Sequence, residues 1–365
     1  MLTVALRQPL ADFTLDLSFQ APPGVTVLFG GSGAGKTTVI NAVAGLMRPQ
    51  AGRVTLNDRV LFDLAHGIWL PPHRRRLGYI FQESRLFPHL TVRQNLLFGR
   101  WFAPRGAARE DLDRIVTMLG IGPLLQRQPL ALSGGEKQRV AIGRALLSSP
   151  DLILADEPLT ALDEARKEEI LPYFERLRDE LKIPMLYVSH SAAEVARLAT
   201  SVVVLKDGQV QRQGSAAEVL GDDRVMPTGV RAVGALLEAR VLRHHPDGLS
   251  ELDAGGLSLF LPQVSQAPGS LLRVRILAQD VILSRHRPVG LSALNILPAT
   301  VEQIRSGSGP GAMVSLSTEA GRLLARITRR SAQALELSPG AACYAVVKSV
   351  AIARSDVSGA TPTES

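Results

Sequence analysis

The segment that most constrains this chain is LFGGSGAGKTTVINAVAGL, at residues 28–46. The phosphate-loop pattern of glycine, four residues, glycine, lysine and a hydroxyl residue is matched by Gly30, Gly35, Lys36 and Thr37. An apolar run, VTVLF, precedes the loop, and a helical pattern follows it. The glycines let backbone N–H groups surround the β- and γ-phosphates of a nucleotide, while the helix start and Lys36 add positive charge. The segment therefore predicts a nucleotide site.

A second motif supplies carboxylates for such a site. Asp156 ends the apolar run LILAD, and Glu157 follows it directly. Because successive residues at the end of a strand point in different directions, Asp156 can bind Mg²⁺ with the Thr37 hydroxyl while Glu157 faces an attacking water. The pair predicts hydrolysis of the nucleotide.

Two more polar residues follow short apolar runs. His190 comes after MLYVS, where it could reach the γ-phosphate, and Gln82 comes after GYIF, where it could contact the metal or the water. A lone histidine at a strand end is more often structural. Beside the loop and the acidic pair, both become candidate site residues.

A third motif, LSGGEKQRVAIGRAL at residues 132–146, predicts another helix whose start can bind an anion. Ser133, Gly134 and Gly135 come directly before Glu136. If a helical insertion holds this motif away from the phosphate loop, one nucleotide cannot sit on both within one monomer. A head-to-tail pair of chains would instead close two nucleotides between them.

The spacing of apolar residues along the chain predicts an α/β region followed by an all-β region. Residues 1 to about 220 alternate short apolar runs with helical stretches, which is typical of a mostly parallel sheet, and about 84–150 looks like a helical insertion. Later segments alternate, as in LLRVRIL, where Arg273 and Arg275 are expected to face outward, and they predict a small barrel or two. The predicted divisions are 1–229, a β-rich accessory segment at 230–288, a barrel at 289–355 and a solvated tail at 356–365.

Composition limits the partners and the compartment. A net charge of +7 would suit nucleic acid, but the basic residues are scattered and aromatics make up only 4%, so no nucleic-acid partner is expected. No run approaches the roughly 18 apolar residues of a membrane span, and no signal-peptide pattern opens the chain, so we expect it to stay where it is made. The single cysteine, Cys343, is expected to be a small buried hydrophobe.

Over about residues 1–220 the chain resembles the ATPase subunits of ABC transporters. GGSGAGKT resembles the family's phosphate loop, LSGGEKQR its signature, LILADEP its magnesium strand and TALDEAR its D-loop, in the family's order. The resemblance implies a P-loop NTPase core with a helical subdomain, and ATP and Mg²⁺ as cofactors. The implied nucleotide-binding loop comprises Gly30, Gly31, Ser32, Gly33, Ala34, Gly35, Lys36, Thr37 and Thr38.

The same resemblance assigns roles to the other candidates. Glu157 becomes the general base and His190 the γ-phosphate contact, while Gln82 is a switch residue. The implied metal ligands are Thr37, Gln82 and Asp156. Ser133 and Gly135 are implied to act across a homodimer, and Gly134 and Asp163 are also implied to be nucleotide-binding residues.

Two positions depart from the family pattern. Gly31 stands where proline is commoner, which should loosen the loop. The aromatic residue that stacks on adenine is not evident near the N-terminus, and Phe13 is the candidate.

The resemblance also implies a separate membrane permease as a partner. Residues between Gln82 and Ser133 would dock onto it, with LFPHLTVRQNLLFGR at 86–100 as the docking face and Phe87 and Leu90 as candidate anchors. The chain would then lie at the cytoplasmic face of the inner membrane, served indirectly by a periplasmic substrate-binding protein.

Residues 289–355 resemble the molybdate-binding Mop/TOBE barrel, an OB-like domain appended to molybdate importer ATPases. The family places hydrogen-bond donors for a tetrahedral oxyanion where this chain has Ser292, Asn295, Lys348 and Ser349. Leu294 stands where the family often has arginine. Two interpretations stay open: the barrel binds molybdate as a regulatory ligand, or it only pairs two chains.

The sequence thus predicts an ATP-hydrolysing subunit that energises molybdate uptake. Alternative cargoes are tungstate, sulfate, ferric iron, a polyamine or a sugar, because such importers share the first domain and vary the barrel. A soluble ABC ATPase acting on nucleic acid or ribosomes is a rival from another class. Such proteins usually carry two cassettes or a coiled-coil insertion, whereas this chain has one cassette and a short helical insertion.

Overall fold

The computed structural model describes residues 1–99, 111–160, 162–181, 183–222, 224–227, 229, 232–306, 309–353 and 356–359. The chain forms two compact units, Met1–Ser215 and Ala216–Ser365. The division falls earlier than the expected boundary at 229, because a short helix that begins at Ala216 belongs to the second unit. Within the described ranges, no helix has the length and apolar character needed to cross a membrane.

The first unit contains one antiparallel sheet and one mostly parallel sheet. The antiparallel sheet has the strand order β2-β1-β4-β5-β6. Its strands are β1 (Leu2–Pro9), β2 (Thr14–Ala21), β4 (Ala51–Leu56), β5 (Arg59–Asp63) and β6 (Ile68–Trp69). The parallel sheet has the order β11-β10-β3-β9-β8-β7, with only β11 antiparallel to its neighbour. Its strands are β3 (Val25–Phe29), β7 (Leu77–Ile80), β8 (Leu152–Asp156), β9 (Met185–Ser189), β10 (Ser201–Lys206) and β11 (Gln209–Gly214).

The predicted α/β architecture is therefore confirmed. Strands β3 and β9 are buried at every residue, and β8 at all but its last, because helices and the antiparallel sheet cover them. The helices of this unit are α1 (Lys36–Ala44), α2 (Val92–Leu97), α3 (Leu112–Met118), α4 (Gly134–Leu147), α5 (Glu164–Arg176) and α6 (Ala192–Leu198). Helices α2, α3 and α4 lie within the stretch expected to be a helical insertion.

The second unit is built mainly from two five-stranded sheets, of orders β14-β13-β12-β15-β21 and β16-β20-β17-β18-β19. The first sheet contains β12 (Gly234–His244), β13 (Leu249–Ala254), β14 (Leu257–Pro262), β15 (Leu271–Leu277) and β21 (Val357–Gly359). The second contains β16 (Val281–Ser284), β17 (Asn295–Ser306), β18 (Gly311–Thr318), β19 (Gly321–Thr328) and β20 (Ala342–Val347). The short helices are α7 (Ala216–Leu220) and α8 (Arg329–Ala334).

The sheets of the second unit do not separate at residue 288. Strand β16 comes before that point yet pairs with β20, and β21 comes last yet pairs with β15. One hydrophobic core includes side chains from both sheets, and the buried Cys343 belongs to it as expected. The β region therefore folds around one shared core, which the alternation of single strands could not reveal.

Two expectations about exposure in this region are wrong. Arg275 was expected to face solvent but is buried, with Nη1 3.2 Å from Asp356 Oδ1 and Nη2 donating to the Ala232 carbonyl. Asp356 was placed in a solvated tail, yet the chain continues into strand β21. An arginine can be buried in a strand when a carboxylate and a carbonyl satisfy its donors; residues 360–365 lie outside the described residues.

A buried cation caps the helix that begins at the phosphate loop. Arg75 is fully buried, and its Nη1 donates to the carbonyls of Ala42 and Val43, at 2.8 and 2.7 Å. These carbonyls belong to the last turn of α1, where helical partners run out. The guanidinium also lies 4.6 Å from the Trp69 ring centroid, and burial lowers its pKa to about 10. In the sequence, this residue is indistinguishable from its neighbours in HRRR.

We expect Arg75→Met to lower the free energy of unfolding of the first unit by about 3 kcal/mol, because two buried carbonyls would lose charge-assisted partners. Chemical denaturation measures this loss. Arg74→Met is the matched control, since Arg74 is exposed and, within the described ranges, only its backbone N–H and carbonyl make hydrogen bonds. Equal stability of the two variants would contradict the role given to Arg75.

Candidate active site

The phosphate loop runs from the end of β3 to the start of α1. Lys36 is buried, and its Nζ donates to the carbonyls of Gly30 and Gly31 at 3.0 and 2.8 Å. Burial lowers the pKa of this ammonium, and the nearby carboxylates of Glu157 and Asp156 oppose that effect. The loop therefore holds a positive charge at its centre.

Glycine is required at two loop positions for different reasons. A Cβ on Gly30 would lie 2.5 Å from the Leu205 carbonyl oxygen, so the backbone there comes too close for a side chain. Gly35 has φ +96°, a left-handed conformation that glycine tolerates. No atom lies within 4 Å of the position of a Cβ on Gly31, so no steric contact in the described structure requires glycine there.

The remaining loop residues differ in exposure. Gly31, Ser32, Gly33 and Thr37 are exposed, Thr38 is half-buried, and Ala34 and Gly35 are buried. The Phe13 ring lies beside the loop, about 3.7 Å from the position of a Cβ on Gly35. A half-buried aromatic ring thus borders the start of α1, and Phe13 stays the candidate for stacking on adenine.

Two oxygen atoms that can bind a metal ion lie close together at the end of β8. The Thr37 hydroxyl lies 3.3 Å from Asp156 Oδ1. Burial raises the pKa of Asp156, while the hydrogen bond from Thr37 opposes the shift. A carboxylate beside a hydroxyl is the set of hard oxygen donors that Mg²⁺ prefers.

Gln82 is not joined to this pair. It lies exposed two residues beyond β7, and its side chain makes no hydrogen bond to the part of the chain that the structure describes. Because β7 pairs with β8, Gln82 follows the strand next to Asp156.

Glu157 lies between Lys36 and His190. Its Oε1 is 3.7 Å from Lys36 Nζ, and its Oε2 is 3.3 Å from His190 Nδ1 and accepts a hydrogen bond from Thr160 Oγ1 at 3.0 Å. The residue has φ +44°, a left-handed conformation that is costly for a side chain with a Cβ. At this turn the two carboxylates separate: Asp156 contacts Thr37, and Glu157 contacts Lys36 and His190.

A buried network that sequence analysis missed lies beside His190. Glu194 Oε2 accepts hydrogen bonds from Tyr187 at 2.9 Å and from Ser189 at 2.7 Å, and burial raises the pKa of its carboxyl. Ser191 caps α6 by accepting from the Glu194 N–H. The S-x-x-E spacing of Ser191 and Glu194 was a visible signal for this helix start.

The signature motif begins α4 with a complete capping box. Ser133 Oγ accepts from the Glu136 N–H, and the Ser133 N–H donates to Glu136 Oε2 at 2.7 Å. In the part of the chain that the structure describes, the Ser133 hydroxyl and the Gly135 N–H donate no hydrogen bond, and Gly135 is buried. Ser133 and Gly134 are exposed. Within the described ranges, the motif makes no hydrogen bond or ion pair with Lys36, Asp156, Glu157 or His190.

Asp163 also occupies a helix start. Its carboxylate accepts from the Arg166 N–H at 2.9 Å, which caps α5, and its side chain is 59% exposed. Its Oδ2 lies 3.5 Å from Arg166 Nε, so both carboxylate oxygens have a partner on α5 although the side chain is largely exposed.

An aromatic groove lies where the docking face was expected. It has a volume of about 310 Å³, and Phe81, Phe87, Phe98 and Arg144 are among its lining residues. Phe87 packs on Phe98 with centroids 4.3 Å apart, and Leu90 is half-buried nearby in the chain. Residues 100–110 of the expected face and its surroundings lie outside the described residues.

The four expected oxyanion ligands have different environments. Asn295 is fully buried, and its amide makes two hydrogen bonds to the Phe260 backbone, at 2.7 and 2.8 Å. Ser349 is buried, with Oγ 3.5 Å from Asn295 Nδ2. Lys348 and Ser292 are exposed. Asn295 is thus occupied in holding β14 to β17, a role that its position in the motif did not indicate.

Comparisons with known proteins agree with these features. A family model described as ABC transporter matches residues 14–160, and one described as TOBE domain matches residues 291–353. Solved structures with a similar fold include cbiO1 from Clostridium perfringens, part of the ABC transporter complex cbiONQ, with a TM-score of 0.51 and 26% identity over 61% of this chain and 92% of that chain. A bacterial ABC transporter cassette solved as a dimer gives a TM-score of 0.50 and 27% identity over 59% of this chain and 99% of that chain.

Curated relatives match almost the entire chain. The molybdenum import ATP-binding protein ModC of Mesorhizobium japonicum is 50% identical over 99% of this chain and 98% of that protein. The ModC proteins of Rhizobium etli and Brucella abortus are 51% and 46% identical, over 96% and 98% of this chain and 99% and 98% of theirs. With an intact phosphate loop, magnesium strand and signature helix, the chain belongs to the ABC transporter ATP-binding proteins, in the ModC family of molybdenum import ATP-binding proteins.

Proposed function

We propose that this chain hydrolyses ATP as a Mg²⁺-dependent homodimer and so powers molybdate uptake through a separate permease at the cytoplasmic face of the inner membrane. The meeting of Lys36, Thr37, Asp156, Glu157 and His190 at one edge of the parallel sheet carries the catalytic part of this proposal. The cargo is inferred from the ModC relatives, which match over nearly their full length.

Phosphate binding follows from the loop. Lys36 and the loop N–H groups would hold the β- and γ-phosphates, and Phe13 would border the adenine. Thr37 and Asp156, with Gln82 moving in, would hold Mg²⁺, which neutralises phosphate charge when it is bound. Lys36 would exchange its contacts with the loop carbonyls for phosphate oxygens.

Glu157 is the proposed general base. A water held by its carboxylate attacks the γ-phosphorus, its proton passes to Glu157, and the bond to the β-phosphate oxygen breaks to release ADP and phosphate. His190, 3.3 Å from the same carboxylate, would hold a γ-phosphate oxygen and fix the direction of attack.

The second half of each nucleotide site would come from a partner copy. Ser133 and Gly134 are exposed at the start of α4, and Gly135 is buried directly behind them. The Ser133 hydroxyl and the Gly135 N–H at this helix start would face a γ-phosphate. Gly134 lets the backbone approach, and the largely exposed Asp163 side chain would meet the other copy. ATP would therefore act as the link that closes the dimer.

Transport would couple to this closure through the aromatic groove. Phe87 and Leu90 are the proposed anchors for a permease helix, and a periplasmic binding protein would deliver cargo from the other side.

In the second unit, Lys348 would supply the positive charge that attracts an oxyanion, and the hydroxyls of Ser292 and Ser349 would donate hydrogen bonds to it. Asn295 would keep β17 in place through its bonds to β14. Molybdate bound there would hold the dimer open when the cell is replete.

Glu157→Gln should lower the ATP hydrolysis rate of the assembled transporter at least about 100-fold, because an amide cannot accept the proton. The variant should also accumulate as a closed dimer with ATP, measured by size-exclusion chromatography. Glu238→Gln, which changes a half-exposed carboxylate in the second unit, is the control and should behave as wild type. Hydrolysis at the normal rate would exclude Glu157 as the base.

Calorimetric titration of the full chain with molybdate tests the regulatory ligand. Wild type should bind molybdate and tungstate more tightly than sulfate, and Lys348→Ala should weaken binding about 10-fold or more through loss of a charge-assisted contact. Arg330→Ala removes an exposed charge elsewhere in the unit and should leave binding unchanged. Absence of heat from wild type would leave pairing of chains as the role of the barrel.

A further inference from the structure

We propose that Tyr79, braced by Asn41, is a positioning residue that fixes the orientation of the Asp156 carboxylate for Mg²⁺. The inference rests on the proposed function, since it concerns the same metal site. It is carried by a ring of side-chain contacts between α1, β7 and β8.

Strand register brings Tyr79 to Asp156. Strands β7 and β8 are parallel, and Tyr79 lies opposite Leu154. Since side chains alternate along a strand, Asp156 is on the same face as Leu154, two residues further on. The tyrosine reaches forward along this face, and its hydroxyl lies 3.5 Å from Asp156 Oδ2, a long contact for a hydrogen bond between two oxygens.

Helix α1 closes the ring from the other side. Thr37 and Asn41 are four residues apart and therefore share one face of the helix. Thr37 Oγ1 lies 3.3 Å from Asp156 Oδ1, and Asn41 Oδ1 lies 3.2 Å from the Tyr79 hydroxyl. Each oxygen of the carboxylate thus has its own partner: Oδ1 faces the hydroxyl at the loop, and Oδ2 faces the tyrosine.

The proton of Tyr79 can serve only one acceptor. In the structure the nearer acceptor of the Tyr79 hydroxyl is Asn41 Oδ1, at 3.2 Å. With the Asn41 amide turned by a half rotation, its NH₂ would donate to the Tyr79 oxygen, and Tyr79 would then donate to Asp156 Oδ2. A carboxylate held at Oδ2 cannot rotate freely, so Oδ1 keeps its lone pairs on the Thr37 side, where the metal would bind. Outer contacts of this type tune metal affinity.

The Tyr79 ring is itself fixed. It stacks on Phe81 with centroids 4.0 Å apart, and Tyr79 and Asp156 are both only partly accessible to water. Loss of the hydroxyl alone would leave this packing intact. Tyr79→Phe therefore separates the hydrogen bond from the structural role of the ring.

The experiment measures binding of a non-hydrolysable ATP analogue to the full chain, by calorimetry, across a Mg²⁺ series and in EDTA. For Tyr79→Phe we expect the Mg²⁺ concentration at half effect to rise about 10-fold, with affinity in EDTA unchanged. Asn41→Ala should shift it in the same direction by less. Tyr173→Phe is the matched control, because it removes a hydroxyl that bonds Arg139 and lies in no contact with Asp156.

Two results would overturn the positioning role. A Mg²⁺ dependence equal to wild type would show that the hydroxyl does not act on Asp156. An equal loss of affinity with Mg²⁺ and in EDTA would show a general structural effect. If wild type itself showed no Mg²⁺-dependent binding, the proposed ATPase site would fail, and this inference would fail with it.

Discussion

The parallel pairing of β3, β7, β8 and β9 is the constraint on which the site depends. Parallel strands end at one edge of a sheet, and functional groups in α/β proteins collect there. The phosphate loop follows β3, Gln82 follows β7, Asp156 ends β8 and His190 follows β9. Residues separated by more than a hundred positions are neighbours only because the strand ends are.

Charge balance then determines how these neighbours are arranged. Lys36 would be costly to bury alone, and Glu157 at 3.7 Å with two loop carbonyls offsets that cost. Glu157 is held in place by Lys36, Thr160 and His190 together, which helps to maintain its left-handed backbone. The residue proposed as the base therefore combines a strained backbone with a side chain held by three partners.

Much of this arrangement could be predicted, because short motifs with a fixed mechanism specify their own local structure. The loop, the acidic pair and the signature each carry a strand or helix boundary, and the sheet follows from apolar runs. The sequence did not show where single polar side chains go. Arg75 caps a helix, Arg275 pairs with Asp356, and Asn295 holds Phe260, and each depends on a partner distant in the chain.

Two helices begin with the same S-x-x-E pattern, yet their glutamates have different partners. At Ser133 the glutamate closes a capping box with its own helix, and its pKa is lowered by the Ser133 N–H. At Ser191 the glutamate turns instead to Tyr187 and Ser189, and burial raises its pKa. The difference is what lies beside each helix: solvent at the signature, and a buried strand beside His190. A pattern therefore predicts that a helix begins, while the neighbouring strand decides whether its glutamate serves the cap or the site.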